Sequence, residues 1–266
     1  MRFHALQTNP AWMDIAANRS AINKQVAELH PDAGDFIVLP EMCETAWTSD
    51  SALCRATFER DGWSSTAWLT ELAQQTKCWI QAGLAQLVEG GKLANTVAIV
   101  SPTGDCKAIY RKNFLFPSER ESYEHGTQLT LVDLGTVTIC PLICYDLRFP
   151  ELWRLAAQAG AEVFTVSSSW PALRHEHWRS LLVARAIENQ AGVVASNRIG
   201  SDPTLQYSGG SVAIDHLGHR VHECGSELES ASWKFDRAPF DEWRAKFGAL
   251  RDTRSTLLGS IEVTRS

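Results

Sequence analysis

The sequence predicts a mixed α/β sandwich folded as one domain. Short apolar runs of strand length alternate with stretches whose apolar residues recur at helical spacing. Glycine- and proline-bearing turns join several of these runs as hairpins, too many for a purely doubly wound sheet. The 266 residues are 44% hydrophobic and 21% charged, with no fixed-period repeat and no Pro-, Gly- or Ser-rich linker, so one core over residues 1–266 is expected.

The elements follow in order. Residues 3–6 (FHAL) read as a strand. A helix comes next with Asp14 as its N-cap, and Ile15, Ile22, Val26 and Leu29 fall on one face. Residues 36–39 (FIVL) form a buried strand stopped by Pro40. Trp68, Leu69, Leu72 and Ala73 mark a second helix ahead of a strand at 79–84. Gly90-Gly91 and Pro102-Thr103-Gly104 are the turns around strands 96–100 and 106–110. Strands at 137–143, 163–167 and 193–197 then alternate with helices at 151–159, stopped at Gly160, and 177–190. The last helix places Trp178, Leu181, Leu182 and Ala186 on a single face.

Charge and cysteine usage narrow the class. A net charge of -6 argues against a nucleic-acid partner held by a basic surface. No apolar run approaches the length needed to span a bilayer, and the first residues lack a long apolar segment and a small-residue cleavage site. The seven cysteines are odd in number and include no C-x-x-C pair, so reduced thiols in a cytoplasmic protein are expected. Pro141 keeps Cys140 and Cys144 off a shared helical face, and no His-x-x-x-His pattern accompanies them. Neither a metal nor a cofactor is expected.

Three strand ends carry chemistry. Leu39-Pro40-Glu41 delivers a carboxylate where proline breaks a buried strand. Tyr110-Arg111-Lys112 closes the strand at 106–110, and Ile143-Cys144-Tyr145-Asp146 places a thiol where a strand turns towards a helix. Each has a bland reading: a solvated glutamate, an edge lysine, a small buried hydrophobe. Together they form a mechanism. A nucleophilic thiol needs a base, which Glu41 can be, and stabilisation from a cation or helix N-terminus. Lys112 and the backbone N–H after Cys144 would meet the oxyanion of a tetrahedral intermediate.

The segments LPEM at 39–42, YRK at 110–112 and LICYDLRFPEL at 142–152 resemble the nitrilase superfamily of carbon-nitrogen hydrolases. The resemblance covers about residues 7–218 and includes HWRSLLVARAIENQ at 177–190, NRIG at 197–200 and YSGGSVAIDHLG at 207–218. It implies a four-layer α-β-β-α sandwich that pairs with a second copy through its outer helices. It also implies a Glu41, Lys112 and Cys144 triad. A second, substrate-orienting glutamate is implied at Glu119, with Glu121 and Glu124 nearby. The stretches CYDLRFPELW, SSSWPALRHEHW and ARAIENQ are most similar to the ω-amidase branch, which hydrolyses the terminal amide of α-keto acids such as α-ketoglutaramate. The implied partner is a small amide, cleaved through a thioester. The triad alone leaves a nitrilase, an N-carbamoyl hydrolase, a non-catalytic binding protein and a redox thiol protein as alternatives. One departure stands out: Phe114 occupies the position two after the lysine, where family members often have His.

Around the triad, Tyr145, Trp47 and Trp170 adjoin the expected pocket, and Arg174 is expected to hold a substrate carboxylate because a guanidinium donates two parallel hydrogen bonds. Asp146 and Arg148 are expected to form an ion pair that shapes the turn. Arg185 and Glu188 are expected to pair in the core or a dimer interface, and His175 and His177 to have structural roles. Gly209-Gly210 lacks the pattern of a phosphate loop.

Overall fold

The computed structural model describes residues 1–254; the one-domain expectation also takes in 255–266, which lie outside the described residues. In chain order, β1 (Arg2–Leu6), α1 (Ile15–Leu29) and β2 (Phe36–Val38) come first. Then follow α2 (Ser51–Asp61), α3 (Ser65–Thr76), β3 (Trp79–Leu87), β4 (Leu93–Val100), β5 (Cys106–Arg111), β6 (Tyr123–Glu124) and β7 (Val132–Asp133). The next stretch is β8 (Thr138–Ile143), α4 (Pro150–Gln158), β9 (Val163–Ser168), α5 (His175–Asn189) and β10 (Gly192–Asn197). The short strands β11 (Ile199–Ser201), β12 (Gln206–Ser208), β13 (Val212–Ile214), β14 (Arg220–Glu223) and β15 (Ser230–Lys234) lead to α6 (Arg237–Lys246).

Two mixed sheets result, ordered β15-β1-β2-β3-β4-β5, with β6 beside β4, and β14-β13-β10-β9-β8-β7. A β11–β12 hairpin stands apart. Side-chain alternation explains the layering. Phe3, Ala5, Phe36, Val38, Val97 and Ile99 point inward to the core shared with the second sheet. Their neighbours Leu6, Ile37, Ala98 and Val100 point outward, where Ile22 and Val26 of α1 and Leu69 and Leu72 of α3 cover them. Trp153 of α4, Trp178 of α5 and Phe240 of α6 join the core from the second sheet's side. The architecture is the four-layer α-β-β-α sandwich.

A polar seam aligns the sheets where the site forms. Gln81 on β3 donates to Ser167 Oγ at 3.2 Å and accepts from Thr165 Oγ1. Ser167 Oγ donates to the Leu39 carbonyl at 2.7 Å. The carboxyl ends of β2 and β9 are thereby fixed against each other.

Local signals mostly hold. Asp14 caps α1 by accepting from Ala17 N at 3.0 Å. The turns at Gly90-Gly91 and Pro102-Thr103-Gly104 join β3 to β4 and β4 to β5 as antiparallel pairs. The sequence reading missed α2, which buries only Cys54, Thr57 and Phe58. It also missed the short strands after residue 198 and α6. Helix α5 starts two residues earlier than expected, because a 3-10 turn over Ala172–Arg174 runs directly into it.

Candidate active site

Glu41 is placed by a close backbone crossing. After Pro40 the chain turns over β3, where the Gly83 N–H donates to the Pro40 carbonyl at 3.2 Å and the Cys43 N–H to the Gly83 carbonyl at 2.9 Å. A Cβ at position 83 would lie 2.5 Å from Glu41 Cα, so only glycine admits this crossing. The Glu41 side chain is fully buried. Oε1 accepts from Lys112 Nζ and Asn95 Nδ2, both at 2.7 Å, and Oε2 accepts from Ser169 N at 2.9 Å.

Lys112 follows β5, held there by its N–H donating to the Asn95 carbonyl at 2.9 Å. Its ammonium is 1% exposed and also donates to Glu119 Oε2 at 2.8 Å. Burial opposes that charge, but the carboxylates of Glu119 and Glu41 outweigh it and hold the lysine well above its ordinary range. Glu119 closes a 3-10 turn over Pro117–Glu119. It accepts four hydrogen bonds: Lys112 Nζ, Phe116 N at 2.7 Å, Asn95 Nδ2 at 2.9 Å and Trp47 Nε1 at 3.0 Å. Burial raises its pKa, yet Lys112 and these donors leave it below the usual glutamate value. Of the two other glutamates, Glu121 is exposed and Glu124 pairs with Lys92 at 2.9 Å, away from this cluster. Asn95, which the sequence reading did not single out, bridges both buried carboxylates through one NH₂ group.

Cys144 leaves β8 with φ 40°, in the left-handed region that L-residues avoid. Asp146 pins this elbow: it accepts from Ile143 N at 3.0 Å, Phe114 N at 2.9 Å and Tyr110 OH at 2.8 Å. Burial raises the Asp146 carboxyl to about 6 despite those donors. Burial, reinforced by the Glu41 carboxylate, also drives the Cys144 thiol well above its ordinary value, with Lys112 opposing only in part. The resting sulfur therefore keeps its proton at neutral pH. The expected support from a helix terminus does not form directly, because a turn over Cys144–Arg148 intervenes before α4 begins at Pro150.

Cys144 opens into a pocket lined by Trp47, Phe116, Tyr145, Trp170, Arg148 and Arg174, together with Leu205 from the β11–β12 turn. The anticipated lining residues Tyr145, Trp170, Arg174 and Trp47 all stand there. The Asp146–Arg148 ion pair does not form. Asp146 is turned inward to backbone donors, while the Arg148 guanidinium lies over Trp170 at 4.7 Å and Tyr145 at 5.9 Å and meets His177 Nδ1 at 3.3 Å. Arg174 lies over Phe116 at 5.5 Å. Among the described residues neither guanidinium has a carboxylate partner, and burial and the charge of Arg174 both disfavour the charged form of Arg148.

The remaining residues are structural in their contacts. His175 Nδ1 meets Ser208 Oγ at 3.1 Å. Arg185 pairs with Glu188 at 2.9 Å and donates to the Leu147 carbonyl, bracing the elbow from α5. Gly209 and Gly210 pack against Gln7 and His175 with positive φ, leaving no cradle.

Known proteins resemble this chain in sequence and in fold. The chain is 34% identical over 250 residues to a 2-oxoglutaramate amidase from Bacillus subtilis, spanning 92% of this chain and 96% of that protein. It is 32% identical over 255 residues to the omega-amidase YafV of Escherichia coli, with the same coverage. A CN-hydrolase superfamily protein from Xanthomonas campestris, solved with an arsenic adduct in its active site, superposes with a TM-score of 0.86 at 28% identity, covering 96% and 97% of the two chains. An amidase from Nesterenkonia sp. has the same fold, with a TM-score of 0.87 at 23% identity over 98% and 95%. The sequence model of the carbon-nitrogen hydrolase family matches residues 4–245, nearly the whole of both sheets with their helices, and the chain belongs to that family.

Proposed function

We propose that the protein is an ω-amidase that hydrolyses the terminal amide of a small keto acid, such as α-ketoglutaramate, and releases ammonia. The observation that carries this reading is the pair Arg148 and Arg174, two guanidiniums in the Cys144 pocket with no carboxylate partner among the described residues. Two like charges sharing a pocket await an anion, and a carboxylate matches their planar donors. The aromatic walls from Trp47, Phe116, Tyr145 and Trp170 suit the short chain between carboxylate and amide. The names of the relatives agree with this choice.

In this reading Glu41 takes the Cys144 proton as the sulfur bonds to the amide carbon. The oxyanion meets Lys112 and the Tyr145 N–H. The C–N bond then breaks as Glu41 returns the proton to the leaving nitrogen, giving ammonia and a thioester. Water, deprotonated by Glu41, cleaves the thioester, and the proton restores the thiol. Glu119 holds Lys112 charged and orients the substrate from the same side. We place the enzyme in the cytoplasm, in keeping with seven unpaired cysteines. No helix among the described residues is long and apolar enough to cross a membrane. A homodimer through α4 and α5 would cover Leu155 and Ile187, which are 57% and 54% exposed on those helices.

Ammonia release from a panel of small substrates tests the reading. Turnover should be fastest for keto-acid ω-amides. Faster turnover of nitriles or N-carbamoyl compounds would overturn it.

A further inference from the structure

Two adjacent serines at the carboxyl end of β9 behave differently: Ser168 ends the strand and Ser169 follows it. Ser169 is committed to Glu41: its N–H donates to the carboxylate at 2.9 Å and its hydroxyl to the Glu41 carbonyl at 3.2 Å. Ser168 is fully buried, yet its hydroxyl has no hydrogen-bond partner among the described residues. A buried hydroxyl without a partner costs folding free energy, so alanine would serve stability better at this position.

Register says where the hydroxyl lies. β8 and β9 run parallel with Ile143 opposite Ser167, so the next residues along are Cys144 and Ser168. Ser167 points across to Leu39 in the other sheet, and alternation turns Ser168 to the opposite side, where the elbow begins. Ser168 is thus the neighbour of Cys144 across the two strands, and its hydroxyl favours the ionised sulfur.

We propose that Ser168 is a further catalytic residue, whose hydroxyl donates a hydrogen bond to the Cys144 sulfur as that sulfur gives up its proton and attacks the amide carbon. The inference rests on Cys144 as nucleophile and Glu41 as base. A neutral thiol is a poor acceptor and a developing thiolate a good one, so the bond strengthens only as the reaction proceeds. The proton leaving sulfur goes to Glu41, and Ser168 keeps its own throughout. When the thioester forms, the sulfur again becomes a weak acceptor. The same bond returns when the thioester breaks and sulfur leaves as thiolate.

Ser168→Ala separates this role from a structural one, because the two predict opposite signs. Its thermal midpoint should equal or exceed that of the wild type. At the same time kcat should fall about 10–100-fold, the range for one hydrogen bond to a charged group, with KM unchanged. The pH profile for alkylation of Cys144 by iodoacetamide, read by mass spectrometry, should move to higher pH. An unchanged kcat with an unmoved alkylation profile would overturn the proposal. So would a lowered midpoint with an unmoved profile, which marks a structural serine. Hydrolysis surviving in Cys144→Ala would sink the nucleophile reading and this inference with it. A dead Cys144→Ala beside an unaltered Ser168→Ala would sink this inference alone.

Discussion

The carboxylate of Asp146 accepts a hydrogen bond from the backbone N–H of Phe114 at 2.9 Å. That one bond ties the loop after Lys112 to the elbow that presents Cys144. It also accounts for the departure at position 114. The loop is supported through its backbone by Asp146, and the Phe114 ring stacks on Phe149 with centroids 3.6 Å apart and planes 10° from parallel. A histidine there is not needed to hold this geometry.

Asp146→Asn should therefore disturb two catalytic elements at once. Ile143 N and Tyr110 OH bond one carboxylate oxygen and Phe114 N the other, so whichever oxygen becomes NH₂ leaves a backbone N–H facing a donor. The expected loss is about 1–3 kcal/mol of stability. The pH dependence has a definite sign. The folded carboxyl titrates at about 6, above the unfolded value of about 3.9, so the folded state holds its proton more tightly. The wild type's contribution from this group is full below pH ~4 and declines as pH rises to about 6, by roughly 3 kcal/mol. Denaturant unfolding of both proteins from pH 4 to 7 checks this. A gap that widens with pH would contradict it.

Lys112→Ala and Glu41→Gln should both lose activity yet be separable by stability. Removing the ammonium leaves Glu41 and Glu119 buried, joined only through Asn95, and should cost about 3–5 kcal/mol. Glu41→Gln keeps the Lys112–Glu119 pair and sets one amide NH₂ against a neighbouring donor, costing about 1–3 kcal/mol. Its rate should fall by about 10²–10⁴, because an amide cannot accept the thiol proton. Thermal melts and single-turnover rates measure the two effects independently. Equal destabilisation by the two substitutions would mean that the lysine's charge does not hold the site together.

Gly83→Ala tests the backbone that carries Glu41 without changing any side chain of the site. The added methyl would sit 2.5 Å from both Glu41 Cα and the Pro40 carbonyl oxygen, and these are backbone atoms that no rotamer change can move aside. The Glu41 turn must lift off β3, which carries the base away from Lys112 and Ser169. Activity should fall at least tenfold by misplacement of the base, with a lowered melting temperature. Full activity would show that the crossing can relax.

What the sequence revealed follows chain order closely. The Asp14 cap, the hairpin turns and the strands that end at Pro40, Lys112 and Cys144 are written in local patterns and were legible. Helix α2 was not, because its buried face is one turn wide, although Asp50 caps it by accepting from Leu53 N at 2.9 Å. Asn95 was hidden by its setting: a lone amide in LANTVAIV reads as a polar residue on a strand, and its two carboxylate partners are 54 and 24 residues away. The expected Asp146–Arg148 pair failed for the opposite reason. Proximity in sequence suggested a bond, but the elbow turns the carboxylate inward and leaves the guanidinium over Trp170.

That freed guanidinium changes the expectation for substrate choice. With Arg148 bound to Asp146, Arg174 alone would hold a substrate carboxylate; with both arginines in the pocket, two positions share the task. Arg174→Ala should raise KM for α-ketoglutaramate, and Arg148→Ala should do the same while also loosening Trp170, on which it lies. A neutral amide of similar size should be affected much less by either change, since it offers no carboxylate to lose. Loss of binding shared by ground and transition states appears in KM with kcat little altered. Each single substitution leaves one guanidinium, relieved of its like-charged neighbour, so the double variant should lose more than the product of the singles suggests. The measurement is kcat and KM for one acid and one neutral amide across the three variants. Equal KM changes for the two amides would make the arginines part of the pocket wall and not the carboxylate site.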